Sequence, residues 1–344
     1  MRMYPRFGTG YMCRLLGKTR QGWYEQRKRD HDWSLTSIMI LKLVQETRQT
    51  LPRIGVRKLL FMLQPLLEDH KIKIGRDKLY QLLGEQGLLL RYRRRKPYTT
   101  DSTHPFKKYP NLIRELVLTR TEQLWVSDIT YLRLTKGFCY LSIVTDAYSR
   151  KIVGYQVHPT LASEGAIQAL INAIQTLKRK QPLIHHSDRG VQYCCADYVQ
   201  MLRHCKIEIS MTENGDPYEN AIAERVNGIL KCEFGLEKTF ASLDQAIESA
   251  KQAITAYNYK RPHASCDYLT PGAAHEHNGI LRKRWKQATP KKNKIKSLQM
   301  KNIETPCQAL SGLPVHPATQ IRNNDDTCKA TSGLTPQTVK HEQE

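Results

Sequence analysis

The sequence has no apolar run long enough to cross a membrane, which excludes a protein built around helical membrane spans. Such a span needs about 18 apolar residues, whereas runs such as Leu59 to Leu63 are only a few residues long. Arg14 and Lys18 interrupt the apolar stretch near the N-terminus, so no signal peptide is expected. We therefore predict a cytoplasmic protein that is not a membrane protein.

The nine cysteines do not form any pattern that binds metal or builds a disulfide framework. Cys194 and Cys195 are adjacent and no C-x-x-C pair occurs, so a zinc ribbon and a disulfide-stapled secreted domain are both excluded. With 344 residues, the chain is long enough for about two domains with apolar cores of their own.

Acidic residues are scarce relative to basic ones, with 32 Asp and Glu against 54 Lys and Arg and a net charge of +22. The excess is uneven: residues 1–108 carry +15, residues 109–279 are neutral, and residues 280–344 carry +7. A neutral core between basic flanks favours a polyanionic partner, and we expect DNA.

Two short segments concentrate this positive charge. One places Arg91, Arg93, Arg94, Arg95 and Lys96 around Tyr92, and the other, residues 282–301, holds nine basic and no acidic residues. Such runs bind phosphate backbones without sequence preference. The alternative is a merely solvated basic surface, which the clustering disfavours.

The N-terminal part has the apolar spacing of short helices over residues 35–48, 54–68 and 76–86, the last ending at Gly87. Three short helices with basic outer faces are typical of a helix-turn-helix or winged-helix module. A helical bundle that only packs or oligomerises has the same spacing and remains the alternative.

After residue 123 the pattern changes to strands that later alternate with helices. Strands are predicted at residues 124–133, 138–146, 151–158, 183–187 and 207–210. Helices are predicted at residues 163–180, 195–206, 217–234 and 243–258. This order predicts an α/β fold with a mixed sheet of ribonuclease-H type, followed by a polar, Lys-rich tail of low order after Ile280.

Three acidic residues occupy unusual positions in this scheme. Asp128 falls inside a strand, where Asp is disfavoured; Asp188 directly follows a strand; and Glu224 lies on a helix. Counting 100° per residue from Asn220, Glu224, Asn227 and Lys231 share one helix face. Any one acid alone could be a helix cap or an Arg partner, but three in this order favour a shared site.

Carboxylates from a strand centre, a strand end and a helix can converge on divalent metal. Hard oxygen ligands suit Mg²⁺ or Mn²⁺. Two such ions can activate an attacking oxygen and stabilise the leaving oxygen of a phosphodiester. The pattern therefore predicts phosphoryl transfer on a nucleic acid, with two ions as cofactor.

These residues also lie in longer motifs. The motifs are W-x-x-D-I-T-Y at 125–131, H-S-D-R-G-x-Q-Y at 186–193, N-x-x-x-E at 220–224 and Y-N-x-x-R-P-H at 257–263, with 35 residues between Asp188 and Glu224. In these motifs, over roughly residues 11–275, the chain resembles the insertion-sequence transposases with a retroviral-integrase-like Asp-Asp-35-Glu core, in particular the second-frame product of the insertion sequence 3 family.

The resemblance implies that Asp128, Asp188 and Glu224 hold two Mg²⁺ ions for donor-strand cleavage and strand transfer. It also implies that Lys231 and Asn220 contact DNA or support the third carboxylate, and that His263 lies near the site, although R-P-H after a helix is equally a structural turn.

Two further sets of residues could compete for roles in the site. Glu219 could compete as third ligand, but it lies about 140° from Glu224 around the helix, so the spacing favours Glu224. His185 and His186 are expected to be strand-end or supporting residues rather than metal ligands.

The expected layout has five parts. They are a short helical segment at 1–34, a helix-turn-helix-like region at 35–96, a basic linker at 97–120, the catalytic core at 121–275 and a basic tail at 276–344. Expected partners are element ends and target DNA, further copies of the chain on DNA, and an upstream-frame product as fusion or partner, on the bacterial nucleoid. The alternatives are a ribonuclease-H-like nuclease without strand transfer and a non-catalytic DNA-binding relative.

Overall fold

The computed structural model describes residues 8–90, 105–178, 181–213, 220–277 and 279–282. The chain divides into two units, residues 1–288 and 289–344, and the second lies outside the described residues. The predicted order of the tail beyond residue 282 is therefore untested. In the described ranges, no helix is both long enough and apolar enough to cross a bilayer.

The N-terminal part is helical. Its helices are α1 (Thr9–Leu15), α2 (Arg20–Thr50), α3 (Val56–Asp69) and α4 (Arg76–Glu85). The helices α2 to α4 pack through a shared apolar cluster that includes Ile40, Val44, Leu59, Leu63 and Leu79.

One prediction for this region was wrong. The helix expected at 35–48 is the second half of α2. This helix begins at Arg20, and the side chain of its N-cap residue, Thr19, accepts a hydrogen bond from the Gly22 N–H. The boundary expected between residues 34 and 35 therefore falls inside a helix. The first half of α2 is mostly exposed and polar, so it has no apolar stripe from which it could be predicted.

The sheet contains six strands. They are β1 (Leu124–Leu134), β2 (Phe138–Asp146), β3 (Ile152–His158), β4 (Ile184–Ser187), β5 (Glu208–Met211) and the short β6 (Thr239–Phe240). The order is β3-β2-β1-β4-β5, with β6 beside β1. The first three strands are antiparallel, while β4 pairs parallel with β1 and β5 pairs parallel with β4.

Helices cover both faces of this sheet. They are α5 (Ser163–Gln175), α6 (Val191–Cys194), α7 (Ala196–His204), α8 (Ala221–Phe234), α9 (Leu243–Tyr259) and α10 (Pro271–His275). One apolar core lies between the sheet and α5 and α7, and a second lies between the sheet and α8 and α9. This mixed, two-faced sheet confirms the predicted ribonuclease-H-like α/β fold.

Two connections hold the layers in register. Helix α5 lies so close to β3 that a Cβ on Gly154 would stand 2.2 Å from the carbonyl oxygen of Ala169. The segment before β1 is tied to the far edge of the sheet, because the Leu112 N–H donates to Ser210 Oγ at 2.9 Å. The described part of the expected linker 97–120 thus packs on the core, while residues 97–104 lie outside the described ranges.

Candidate active site

Asp128 lies at the centre of β1, the middle strand of the sheet, as its sequence position predicts. Its Oδ2 accepts a hydrogen bond from Asn227 Nδ2 at 2.8 Å, and its Oδ1 accepts one from the Ile129 N–H at 2.9 Å. Burial raises the pKa of Asp128 to about 7, and the negative charges of Asp188 and Glu224 add to that rise against the two hydrogen bonds. The group is therefore poised between its neutral and its charged form at neutral pH.

Asp188 directly follows β4, the parallel neighbour of β1, where Val126 stands beside His186. Its Oδ1 accepts a hydrogen bond from the Gly190 N–H at 3.0 Å, which fixes the turn after the strand. The charge of Asp188 acts on Asp128. The structure thus brings together the two carboxylates that lie 60 positions apart in the sequence.

Glu224 lies in the first turn of α8 and its side chain is exposed. Its charge also raises the pKa of Asp128, although it contributes less than the charge of Asp188. Helix α8 packs against β1, where Ala223 joins Leu124 and Val126 in one apolar cluster. Glu224 therefore lies on the helix that packs against β1, the strand that carries Asp128.

Polar side chains of α8 and of its N-cap residue also contact β1. Asn220 Nδ2 donates to the carbonyl oxygen of Ser127, the residue before Asp128, at 3.1 Å. Burial lowers the pKa of Lys231, while the charge of Asp128 opposes that shift. Asn220, Asn227 and Lys231 thus surround Asp128 from one helix, in agreement with their shared face in the sequence.

Asn227 is the residue for which the sequence suggested no role. Its helical position, close to the angle of Asn220 and Glu224, was the available signal, but nothing in the sequence indicated a bond to Asp128. The side chain is 5% exposed and joins the strand to the helix at the site.

The donor chemistry of this region fits a hard divalent cation. Two buried carboxamide oxygens, Asn220 Oδ1 and Asn227 Oδ1, have no hydrogen-bond partner in the described part of the protein. Together with the carboxylates of Asp128 and Asp188, they offer oxygen atoms of the type that Mg²⁺ and Mn²⁺ prefer. Among the described residues, however, no three His, Cys, Asp or Glu side chains stand close enough to form a ready-made ligand set.

His185 and His186 lie in β4 beneath this region. Ser127 Oγ and Tyr198 Oη lie 2.7 Å and 2.9 Å from His185 Nε2, and Ser210 Oγ lies 2.8 Å from His186 Nδ1. Burial lowers the pKa of His185 to about 3, so this ring is neutral. These contacts are those of core residues that support the strand.

His263 lies in the turn after α9. Its ring accepts from the Ser265 N–H and stands edge-on to Tyr257. Burial and the charges of Arg261, Arg150, Lys58 and Arg225 lower its pKa well below the usual range. These contacts are those of a structural turn among cations, while the expected place beside the carboxylates stays a prediction.

Five predicted residues cannot be placed. Arg91, Arg93, Arg94 and Arg95, expected to bind phosphate, and Glu219, the competing third ligand, all lie outside the described residues.

Comparison with known proteins identifies the family. Two models described as "Integrase core domain" match residues 119–217 and 205–271. The "Insertion element IS600 uncharacterized 31 kDa protein" of Shigella sonnei is 32% identical over 274 residues, which cover 77% of this chain and 97% of that protein. "Transposase InsF for insertion sequence IS3A" of Escherichia coli (strain K12) is 30% identical over 278 residues, which cover 77% of this chain and 93% of that protein.

Among solved structures, the magnesium complex of the HTLV-2 integrase catalytic core domain in its trimeric form is 20% identical to the chain. It covers 45% of this chain and 97% of its own, with a TM-score of 0.37. The matched core-domain models, together with relatives that align along nearly their whole length, lead to one conclusion: the chain belongs to the insertion sequence 3 family of transposases with an integrase-like core.

Proposed function

We propose that this transposase cleaves a donor DNA strand and joins it to target DNA by metal-dependent phosphoryl transfer at Asp128, Asp188 and Glu224. One observation carries the proposal: Asp188 and Glu224, from two other elements, both act electrostatically on a half-buried Asp128. A carboxylate with a raised pKa beside two other acids is a costly arrangement for a structural role and is typical of a functional site.

The three carboxylates would hold two Mg²⁺ or Mn²⁺ ions. Divalent ions in such a site supply an activated attacking oxygen and charge stabilisation for the leaving oxygen. Asp128 and Asp188 provide the fixed part of the ligand set on the sheet. Glu224, exposed at the start of α8, would complete this ligand set.

The neighbouring polar residues position these acids. Asn227 donates to one oxygen of Asp128 and the Ile129 N–H donates to the other, which fixes the orientation of this carboxylate. Asn220 ties the start of α8 to β1 through the Ser127 carbonyl. Lys231 adds a positive charge near Asp128, where a DNA phosphate would approach.

On DNA, the reaction would proceed in two displacements. Water attacks a phosphodiester at the element end, and the bond to the 3′-oxygen breaks to free a 3′-hydroxyl. That hydroxyl then attacks a target phosphodiester and displaces a second 3′-oxygen, so no covalent enzyme intermediate is required. Each displacement exchanges one P–O bond for another and needs no further reactant.

We also propose that the N-terminal helices and the basic segments bind DNA, with phosphate contacts from Arg91, Arg93, Arg94 and Arg95. Because two element ends must be brought together, several copies of the chain would assemble on DNA, in the bacterial cytoplasm at the nucleoid. An upstream-frame product could join this assembly as a fusion or as a partner.

The proposal is tested by Asp188→Asn in an assay that follows both nicking and joining of a cognate end with Mg²⁺. We expect the variant to lose both reactions, whereas Asp197→Asn, an exposed acid on α7, keeps them. A pre-cleaved 3′ end separates a transposase from a nuclease, which cuts without joining. Full activity of Asp188→Asn would refute the assignment, and DNA binding without any metal-dependent chemistry would favour a non-catalytic relative.

A further inference from the structure

A cleft separates the N-terminal helices from the loop that follows α9. Its volume is about 250 Å³. It is lined by Gly55, Val56, Arg57 and Lys58 at the start of α3, Tyr80 of α4, and Ala264 and Tyr268 of the loop. None of the acids proposed for catalysis lines this cleft.

Ion pairs of Glu233 with Lys58 and Arg261 form a joint that holds the two walls of this cleft together. Glu233, on α8, accepts two hydrogen bonds from the buried Arg261 guanidinium, both at 2.7 Å, and pairs with Lys58 Nζ of α3 at 3.3 Å. The Arg53 N–H also donates to the Glu233 carbonyl oxygen at 3.2 Å. The start of α3 is therefore fastened to the core, so the cleft is a built feature of the fold.

The region around the cleft carries excess positive charge. The charges of Arg261, Arg150, Lys58 and Arg225 all reach His263, and Arg261 and Arg225 both act on Lys58. Glu233 pairs with two of these cations. Arg57 adds an exposed cation on the cleft wall. Such a concentration of like charge is relieved by a bound anion.

Exposed aromatic rings stand among these cations. Tyr80 is 39% exposed and Phe61 is 43% exposed. Phe61 stacks on Tyr268 with ring centroids 4.7 Å apart, which supports that ring on the cleft wall. Aromatic faces beside cations bind single-stranded nucleic acid, because every base offers a face for stacking. Paired bases in a duplex are already stacked on each other and cannot use such a ring.

We propose that this cleft binds an unpaired stretch of DNA strand, with a phosphate at Arg57 and a base against Tyr80. The inference rests on the proposed function only in taking DNA as the substrate. Arg225, whose charge acts on Lys58 of the cleft wall, directly follows Glu224 on α8.

The test is fluorescence anisotropy with the full chain in EDTA, using a labelled oligothymidylate and a duplex of random sequence. Tyr80→Ala should weaken binding of the single strand by about 5- to 150-fold, the range found for loss of one stacked base, and change duplex binding by less than about 3-fold. Tyr80→Phe, which keeps the ring, should retain wild-type affinity.

Arg57→Ala provides an independent readout. It should lower the slope of log affinity against log salt for the oligothymidylate by about 0.7, the value expected for one lost phosphate contact. Tyr259→Ala, an exposed aromatic outside the cleft, and Lys136→Ala, in the turn after β1, should change neither quantity.

Two results would overturn the cleft assignment: no affinity of the wild-type chain for the oligothymidylate, or equal losses for the single strand and the duplex in Tyr80→Ala. The proposed function fails separately. A wild-type chain that binds the oligothymidylate through Tyr80 but neither nicks nor joins a cognate end would refute the transposase chemistry and leave the cleft assigned.

Discussion

Asn227 Nδ2 lies 2.8 Å from Asp128 Oδ2, so a single hydrogen bond joins α8 to the centre of the sheet at the proposed catalytic site. This contact lowers the pKa of Asp128, whereas burial raises it. Together with the Ile129 N–H, which donates to the other oxygen, it fixes the orientation of the Asp128 carboxylate. Asn227 is thus a positioning residue for the first carboxylate.

Replacing Asn227 should therefore weaken metal binding. In Asn227→Ala, Asp128 loses a bond that favours its charged form, and protons compete more strongly with the ion. Loss of such a supporting contact costs about 10- to 100-fold in metal affinity. Calorimetric titration with Mn²⁺ at pH 7 measures this, with Asn172→Ala on α5 as the control, because Asn172 bonds Tyr155 elsewhere. Unchanged affinity in Asn227→Ala would contradict the positioning role.

The pKa of Asp128 predicts a pH dependence of stability in the metal-free protein. The folded-state pKa is about 7, above the unfolded value of about 4. Between these values the folded state binds the additional proton, so its stability falls as pH rises from 4 to 7. Asp128→Asn removes this loss. With EDTA, the Tm of this variant at pH 8 should exceed that of the wild type by roughly 8–16 °C, with a smaller difference at pH 5. A constant difference across this range would refute the raised pKa.

The joint between α3 and α8 predicts a large loss of stability. Glu233→Gln leaves the buried Arg261 and the half-buried Lys58 without their shared anion. Removing one partner of a buried ion pair costs about 3–5 kcal/mol. The matched control is Glu237→Gln, whose exposed pair with Arg53 should contribute less than about 1 kcal/mol. Urea unfolding of both variants measures the two losses, and equal losses would show that the joint stabilises the fold no more than the exposed pair does.

The contact between α5 and β3 makes a second prediction about stability. Gly154→Ala would place a methyl group 2.2 Å from a backbone oxygen, which helix α5 can accommodate only by shifting. We expect a loss of about 1–3 kcal/mol or more. Gly228→Ala, on α8 with open space around it, should be neutral or stabilising by up to about 1 kcal/mol. The midpoint of urea unfolding measures the stability of both variants. A Gly154→Ala variant as stable as the wild type would contradict the close packing of α5 on β3.

Local patterns were sufficient for much of this architecture. Runs of residues that favour strands, separated by the turn at Lys136-Gly137, marked β1 and β2 to within one residue. Helix geometry likewise put Asn220, Glu224 and Lys231 on one face. The start of α2 was missed because its first half buries little and leaves no stripe.

Contacts between distant parts of the chain could not be predicted in this way. Lys58 and Glu233 are 175 residues apart, and neither is unusual in its own segment. The bond of Asn227 to Asp128 joins residues 99 apart. Such pairs follow from how helices and strands pack in three dimensions. Asp128 was predicted because a carboxylate inside a strand is locally costly, whereas its partner carries no such local signal.

The most direct test of the central claim is the single-turnover rate of joining a pre-cleaved element end to target DNA with Mg²⁺. The rate is compared for the wild type, Asp128→Asn, Asp188→Asn, Glu224→Gln and the triple variant. If the three acids act as one unit, the joining rate of each single variant should be at least about 100-fold lower than that of the wild type. The rate of the triple variant should be little lower than that of the single variants. A near-wild-type rate in any single variant, or losses that multiply in the triple variant, would contradict the claim.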